Sequence, residues 1–347
     1  MAGNKDKLLI INDEKKGYGF KALLIENRKV KFITKYFLLF ALLSALGVFG
    51  ILNPSFLNIY NILNILKTTS IVGLIAIAAM INLNAGSLNF CLGTQSTLTA
   101  AVIAVLLDRY TGSYLLAVIA GYGASMIVCC ILNFFISVLK LRSFITTLAL
   151  STILLAIDQG LTGSSEMFST NWPGCYTFIG RTKLFGILPL PVGIFLLLGG
   201  ICWFVLERTR LGRHQYACGA NIVTSELIRI NITRMKFLSL MMGSLLAATA
   251  GLVQTSVLNS VNPTMGNDLL IPAISSAMLG STFLTPGKYN VPGTMIAAFL
   301  TTTVKLGVAG LGAGSFVSDI VQGIILIISV GFIALVREEG LPKVSLT

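Results

Sequence analysis

The sequence predicts an all-α integral membrane protein, a polytopic bundle of about ten transmembrane helices. Three observations predict it. Of 347 residues, 55% are hydrophobic and 11% are charged, less than half of the ~25% charged residues usual in soluble domains. A chain of this size has no water-facing core able to hide that much apolar surface, so lipid must solvate it. The apolar residues also come in continuous runs of bilayer length, without the alternation of a membrane β-barrel. Finally, the basic residues sort between these runs by side. A cytosolic enzyme, a secreted disulfide scaffold and a disordered chain are thereby excluded. The net charge of +12 does not indicate nucleic-acid binding, because the Lys and Arg residues sit between apolar spans and not on one face.

The elements follow in order. Residues 1–33 form a basic, polar tail without an early apolar core and cleavage site, so no removable signal peptide is expected. The membrane domain covers 34–336, and its first span is 34–52. The second, 68–83, is short and runs into a polar, glycine-containing break, Gly86-Ser87-Leu88-Asn89-Phe90-Cys91-Leu92-Gly93-Thr94, from which a span at 90–107 emerges. Irregular backbone at membrane depth is tolerated only where protein or a water-filled cavity shields it, so this break is expected to border a pathway; a tight turn facing water is the plain alternative. Spans at 114–138 and 144–162 come next. The loop 163–186, with Asn171, Trp172, Pro173 and Gly174, is expected to cap a pathway mouth or meet a soluble partner.

After a span at 187–206, the stretch 207–236 is too polar to enter the membrane and too small to hold its own core. A short helix is expected over 221–230, with Ile222, Val223, Leu227 and Ile230 mostly on one side. Such a face must lie on lipid or on a protein partner. The span 237–258 carries Gly243, Ala247 and Gly251 at four-residue spacing, a ladder that lets helix backbones approach closely. Spans at 269–284 (short again), 293–312 and 316–336 precede a tail at 337–347.

With the N-terminus inside, twenty of the 25 Lys and Arg residues fall on inside segments, and four (Lys67, Arg109, Arg181, Lys183) fall outside. This places both termini in the cytoplasm. Trp172 and Trp203 suit interfacial anchoring. Asp158, Lys305 and Asp319 lie within spans. An ionised side chain at the bilayer centre costs about 2.5–3.5 kcal/mol, and even off-centre these charges favour partners. A tight hairpin through 313–315 brings Lys305 and Asp319 to similar depth, so they are the expected pair, with Asp158 second. The pair is read as a structural lock or as an outer gate.

Resident chemistry is missing. The six cysteines show no CxxC or zinc spacing and read as small core hydrophobes; the one histidine, His214, cannot build a multi-histidine metal site. A phosphate loop GxxxxGK[ST] is absent; Pro286-Gly287-Lys288-Tyr289 lacks both the earlier glycine and a Ser or Thr after the lysine. Gly310-x-Gly312-x-Gly314 joins two apolar spans and reads as a turn. No HExxH or Ser-His-Asp arrangement exists, so no enzyme, metal or cofactor is expected. An ion-coupled secondary transporter using Asp158 and Asp319 remains an alternative, as does a membrane enzyme acting on lipid.

Four motifs together resemble the permease of ribose- and xylose-type ABC sugar importers, in the branched-chain amino acid/ribose permease superfamily. Thr209-Arg210-Leu211-Gly212-Arg213, then Tyr216-Ala217, Gly219, Asn221, Leu227 and Ile230-Asn231, is similar to the family's ATPase-docking loop. Gly86–Thr94 looks like its GGIDLSVGS, and Phe144-Ile145-Thr146-Thr147-Leu148 like its PFIATL. Pro263, Gly266, Ile274, Gly280, Thr282, Leu284, Gly287, Gly293 and Thr294 keep the register of a fourth motif. The resemblance covers roughly residues 50–336. It departs at Ser87, Asn89, Cys91, Ile222, Glu226, Arg229, Ser281, Pro286 and Tyr289, with Lys305 where the family has an Asn nearby, as in a divergent member.

The resemblance implies a type II-like ABC importer permease with an inverted repeat, the second to fifth spans against the seventh to tenth. It implies ATPase docking through Gly212, Arg213, Gly219, Asn221, Ile222, Leu227 and Ile230, and a substrate path bordered by Ser87, Asn89, Thr94, Gln95, Phe144, Thr146 and Thr147. Implied partners are ATPase subunits that bind the ATP, an extracytoplasmic substrate-binding protein, a second permease copy or paralogue, and lipid. The implied setting is a prokaryotic plasma (inner) membrane. The solute is a small polar molecule, a monosaccharide such as ribose or xylose; amino-acid permeases sharing the fold leave another solute open.

Overall fold

The computed structural model describes residues 28–109, 113–168, 172, 174–184, 186–284, 287–312 and 314–337; nearly all of both tails, Asn171, Pro173 and part of the 313–315 hairpin lie outside the described residues. Helix α1 (Arg28–Leu52) is followed by a 3-10 turn at Pro54–Leu57, α2 (Ile59–Asn84) and α3 (Leu92–Arg109). Helix α4 (Tyr114–Asn133) widens into a π-type turn at Phe134–Val138 before α5 (Ser143–Thr162). Short strands β1 (Met167–Phe168), β2 (Lys183–Leu184) and β3 (Leu188–Pro189) surround α6 (Gly174–Arg181). Then come α7 (Leu190–Arg208), α8 (Arg210–Ala220), α9 (Ile222–Leu227) and α10 (Ile232–Leu258). Strand β4 (Ser260–Val261), α11 (Asn267–Gly280), α12 (Val291–Gly310) and α13 (Ser315–Arg337) complete the chain.

Among the described residues six helices are long and apolar enough to cross a membrane: α2, α4 with its π-type turn, α5, α7, α10 and α12. Shorter apolar stretches at Tyr36–Leu52, Leu92–Asp108 and Phe316–Ile328 sit where three further spans are expected. Helix α11, with 14 residues, rises only about 21 Å. Helix α2 begins at Ile59 and not near 68, because the Asn58 side chain accepts from the Tyr60 N–H and carries the helix through the polar residues Asn61, Asn64 and Lys67.

Helix α2 is the axis of the bundle, packed against α7, α10, α11 and α12, and every residue from Thr69 to Asn82 is buried. The pattern around it is the reverse of a soluble fold. Thr97, Ser239, Ser244, Thr301 and Thr303 are buried, while Leu115, Leu116, Ile119, Ile127, Ile153 and Leu197 point outward, as lipid requires. The ladder on α10 works as its spacing predicts. Gly243 rests on the side chain of Asn82, Ala247 is fully buried, and a Cβ on Gly251 would overlap the Ser96 carbonyl.

Two expectations are corrected. Trp172 is not an interfacial anchor: it is buried among Ala101, Ala104, Val261 and Met265, because the described residues around it pack on the bundle. Strand β1 pairs with β4 (Met167 opposite Val261), and Gly180 of α6 lies against the Ser256 carbonyl. Nor does Lys305 pair with Asp319 or Asp158: among the described residues no ion pair joins them, Lys305 is half-buried and Asp319 is exposed. Similar depth on consecutive helices does not fix azimuth, so equal depth alone does not bring two side chains together. Asp158 shares the buried face of α5 with Thr147, Leu154 and Thr162, and neither of its carboxylate oxygens has a hydrogen-bond partner.

Candidate functional site

The break between α2 and α3 is built by its own polar side chains. The Ser87 N–H and hydroxyl both donate to the Asn82 carbonyl, at 3.0 and 3.2 Å. Asn89 Oδ1 accepts from the Cys91 N–H at 2.9 Å, and Thr94 Oγ1 donates to the Cys91 carbonyl at 3.1 Å. Ser87, Asn89 and Thr94 are all buried, so they do not form a turn facing water. Gln95 donates through Nε2 to the Ser125 carbonyl and to Ser244 Oγ, each at 2.8 Å, which ties α3 to α4 and α10. Four polar atoms stay without a partner here: Asn89 Nδ2, Gln95 Oε1 and both Nδ2 and Oδ1 of Asn82. Sequence reasoning did not single out Asn82.

The second segment expected along the path joins this break only in part. Thr147 is buried and donates to the Leu88 carbonyl at 3.3 Å, and its own carbonyl lies 2.9 Å from Cys91 Sγ. Phe144 meets Phe90 edge-on at 5.4 Å but is itself exposed, and Thr146 turns back to the Arg142 carbonyl.

The segment expected to dock the ATPase is more helical than its polarity suggests. Gly212 is required at the corner between α7 and α8, where a Cβ would overlap the Leu206 carbonyl. Gly219 lies so close to the end of α2 that a Cβ would overlap the Asn84 carbonyl and stand 3.2 Å from the Gly86 N–H nitrogen. Arg213 is exposed, and Asn221 caps α9 by accepting from the Thr224 N–H at 3.1 Å. The expected helix over 221–230 is shorter, ending at Leu227, because Arg229 takes a left-handed φ of 60°. Ile230 is therefore turned out of the apolar stripe and half-buried. Ile222, Val223, Leu227 and Ile228 are all exposed, Leu227 at 79%, alongside exposed Thr224 and Glu226.

One cluster was not anticipated. Tyr216 Oη donates to the Tyr289 carbonyl at 2.8 Å and lies 3.3 Å from Glu207 Oε1. Lys288 Nζ sits 4.0 Å from the centre of the Tyr216 ring and 3.6 Å from the same Glu207 oxygen. The cluster's residues Lys288 and Tyr289 lie in Pro286-Gly287-Lys288-Tyr289, a stretch whose sequence marks a failed phosphate loop and a departure from the family motif but not a contact with Tyr216.

Comparison with known proteins fits this arrangement. A family model described as branched-chain amino acid transport system / permease component matches residues 61–330. The ribose import permease protein RbsC of Bacillus subtilis (strain 168) is 32% identical, over 82% of this chain and 87% of that protein. RbsC of Escherichia coli (strain K12) is 28% identical over 90% and 95%, and the fructose import permease protein FrcC of Rhizobium meliloti 26% over 86% and 85%. No solved structure matches the chain. The matched region runs from the first turn of α2 into α13 and takes in both the α2–α3 break and the α8–α9 segment. On that coverage the chain belongs to the branched-chain amino acid transport system permease component family, a family of membrane transport permeases and not of enzymes.

Proposed function

We propose that this chain is the membrane-spanning subunit of an ABC importer for a monosaccharide, with ribose or xylose the first solutes to test. The observation that carries the reading is the exposed apolar surface offered by Ile222, Val223, Leu227 and Ile228, held on a basic segment that packs directly on the α2–α3 break. Apolar exposure of that kind at a polar end of the bundle calls for a protein surface, and an ATPase subunit supplies both the surface and the hydrolysis this chain lacks. The names of its relatives, ribose and fructose import permeases, support the solute class. The partition of Lys and Arg supports a multi-pass plasma-membrane protein with both termini cytoplasmic. The remaining partners are an extracytoplasmic binding protein, on the side of α6 and β1–β4, and a second permease copy or paralogue. The path for the solute runs beside Ser87, Asn89, Thr94 and Gln95, where unpartnered amide groups match sugar hydroxyls.

The test is uptake of labelled ribose and xylose into proteoliposomes holding the chain with its ATPase and binding protein. Uptake that needs internal ATP supports the reading. Uptake that ignores ATP and follows a proton gradient would replace it with an ion-coupled carrier, for which buried Asp158 is the candidate ion site.

A further inference from the structure

Helix α8 touches two separate parts of the membrane bundle. At its C-terminal end Gly219 abuts the Asn84 carbonyl, where α2 stops. One turn earlier, Tyr216 reaches across to the segment that leads into α12. That segment is itself tied at both ends. Asn290 Nδ2 donates to the Phe283 carbonyl at 2.8 Å and the Gly280 carbonyl at 3.2 Å, and its Oδ1 accepts from the Gly293 N–H at 2.7 Å. Gly280 and Gly293 pack so closely that a Cβ on either would overlap backbone of the other helix. A displacement of the Tyr289 carbonyl therefore reaches the end of α11 and the start of α12 together.

The links across this contact are unequal. Lys288 and Glu207 are 43% and 32% exposed, and an ion pair that open to water contributes little. The phenol of Tyr216 is half-buried, and burial followed by the adjacent Glu207 carboxylate pushes its pKa above the ordinary range, so the hydroxyl keeps the proton it donates. The phenol has one hydrogen, and the Tyr289 carbonyl at 2.8 Å is the nearer acceptor.

We propose that Tyr216 is a positioning residue for transport: its hydrogen bond to the Tyr289 carbonyl couples movement of the docking helix α8 to the α11–α12 junction. The proposal rests on the reading of α8 and α9 as the ATPase-docking segment. Lys288, stacked on the ring, holds the phenol in place, and Gly219 gives the same helix its second contact on α2.

The experiment uses the assembled importer in proteoliposomes, with Tyr216→Phe and Lys288→Met compared with the unaltered chain. ATPase co-purification, ATP hydrolysis and labelled ribose uptake are measured together. Tyr216→Phe is expected to retain the ATPase and to hydrolyse ATP within about twofold of the original rate, while ribose taken up per ATP falls roughly tenfold, the scale of one lost hydrogen bond. Lys288→Met should lower that ratio less, by about twofold, because its charge is half in water. An unchanged ratio in Tyr216→Phe overturns the proposal. So does loss of the ATPase from that variant, since Tyr216 would then only shape the docking surface. If the unaltered chain retains no ATPase, the docking reading itself has failed, and this shows before any variant is made.

Discussion

Gly93 and Gly266 meet backbone to backbone: a Cβ on either would overlap the carbonyl oxygen of the other. The contact is completed by the Gly266 N–H, which donates to Thr97 Oγ1 at 2.9 Å. Gly93 opens α3, and Gly266 precedes α11. Gln95 is bonded to Ser244, midway along α10, so the two glycines meet inside the bundle and not at its rim. The start of α3 and the approach to α11 thus converge on one point, and the shortness of α11 follows from its starting there.

Gly93→Ala and Gly266→Ala should each lower the thermal stability of the detergent-purified protein by about 1–3 kcal/mol, because a methyl group forces backbone apart where no flexible side chain can yield. The double variant should lose less than the sum, since both methyls open the same contact. Unchanged melting in either single variant would show that the crossing is looser than described.

Leu227→Asp is expected to abolish retention of the ATPase subunit while leaving membrane insertion and melting unchanged. The side chain is 79% exposed, so a charge there disturbs a partner's surface and not this chain's own packing. Co-purification from membranes reads the result. Undiminished recovery of the ATPase would move the docking site elsewhere.

Arg229 occupies a left-handed conformation at φ 60° that suits glycine better than a residue with a Cβ. Arg229→Gly should stabilise the α9–α10 corner by about 0.5–1 kcal/mol, seen as slower amide hydrogen exchange at Ile228 and Ile230. Faster exchange would mean that the arginine side chain holds the corner.

Asp158 is buried with both oxygens unpartnered, and a buried polar group without a hydrogen bond costs about 1–3 kcal/mol. Asp158→Asn keeps the volume and removes the ionisable group, so the variant should melt no lower than the original protein. If it melts normally but loses uptake, the carboxyl takes part in transport.

Lys305→Met and Asp319→Asn should have additive effects on stability and uptake, because no ion pair joins the two side chains. A double variant healthier than either single one would restore the pairing that depth alone suggests.

The sequence by itself determined the membrane class, the order of the apolar segments and the family. These follow from composition, run length and short motifs, which are local properties of the chain. It also marked Gly243, Ala247 and Gly251 as a close-packing ladder, since four-residue spacing defines a helix face whatever the partner. Only the tertiary structure decided what lies opposite each face. It buried Trp172, parted Lys305 from Asp319, ended α9 at Leu227, brought Gly93 to Gly266 and set Tyr216 on the Tyr289 carbonyl. Those outcomes depend on helix azimuth and on contacts between residues more than seventy positions apart, such as Tyr216 and Tyr289, and hydropathy carries neither. Lipid gives every outward apolar face the same reward, so the choice of neighbour falls to small residues and buried hydrogen bonds, whose partners a single sequence does not name.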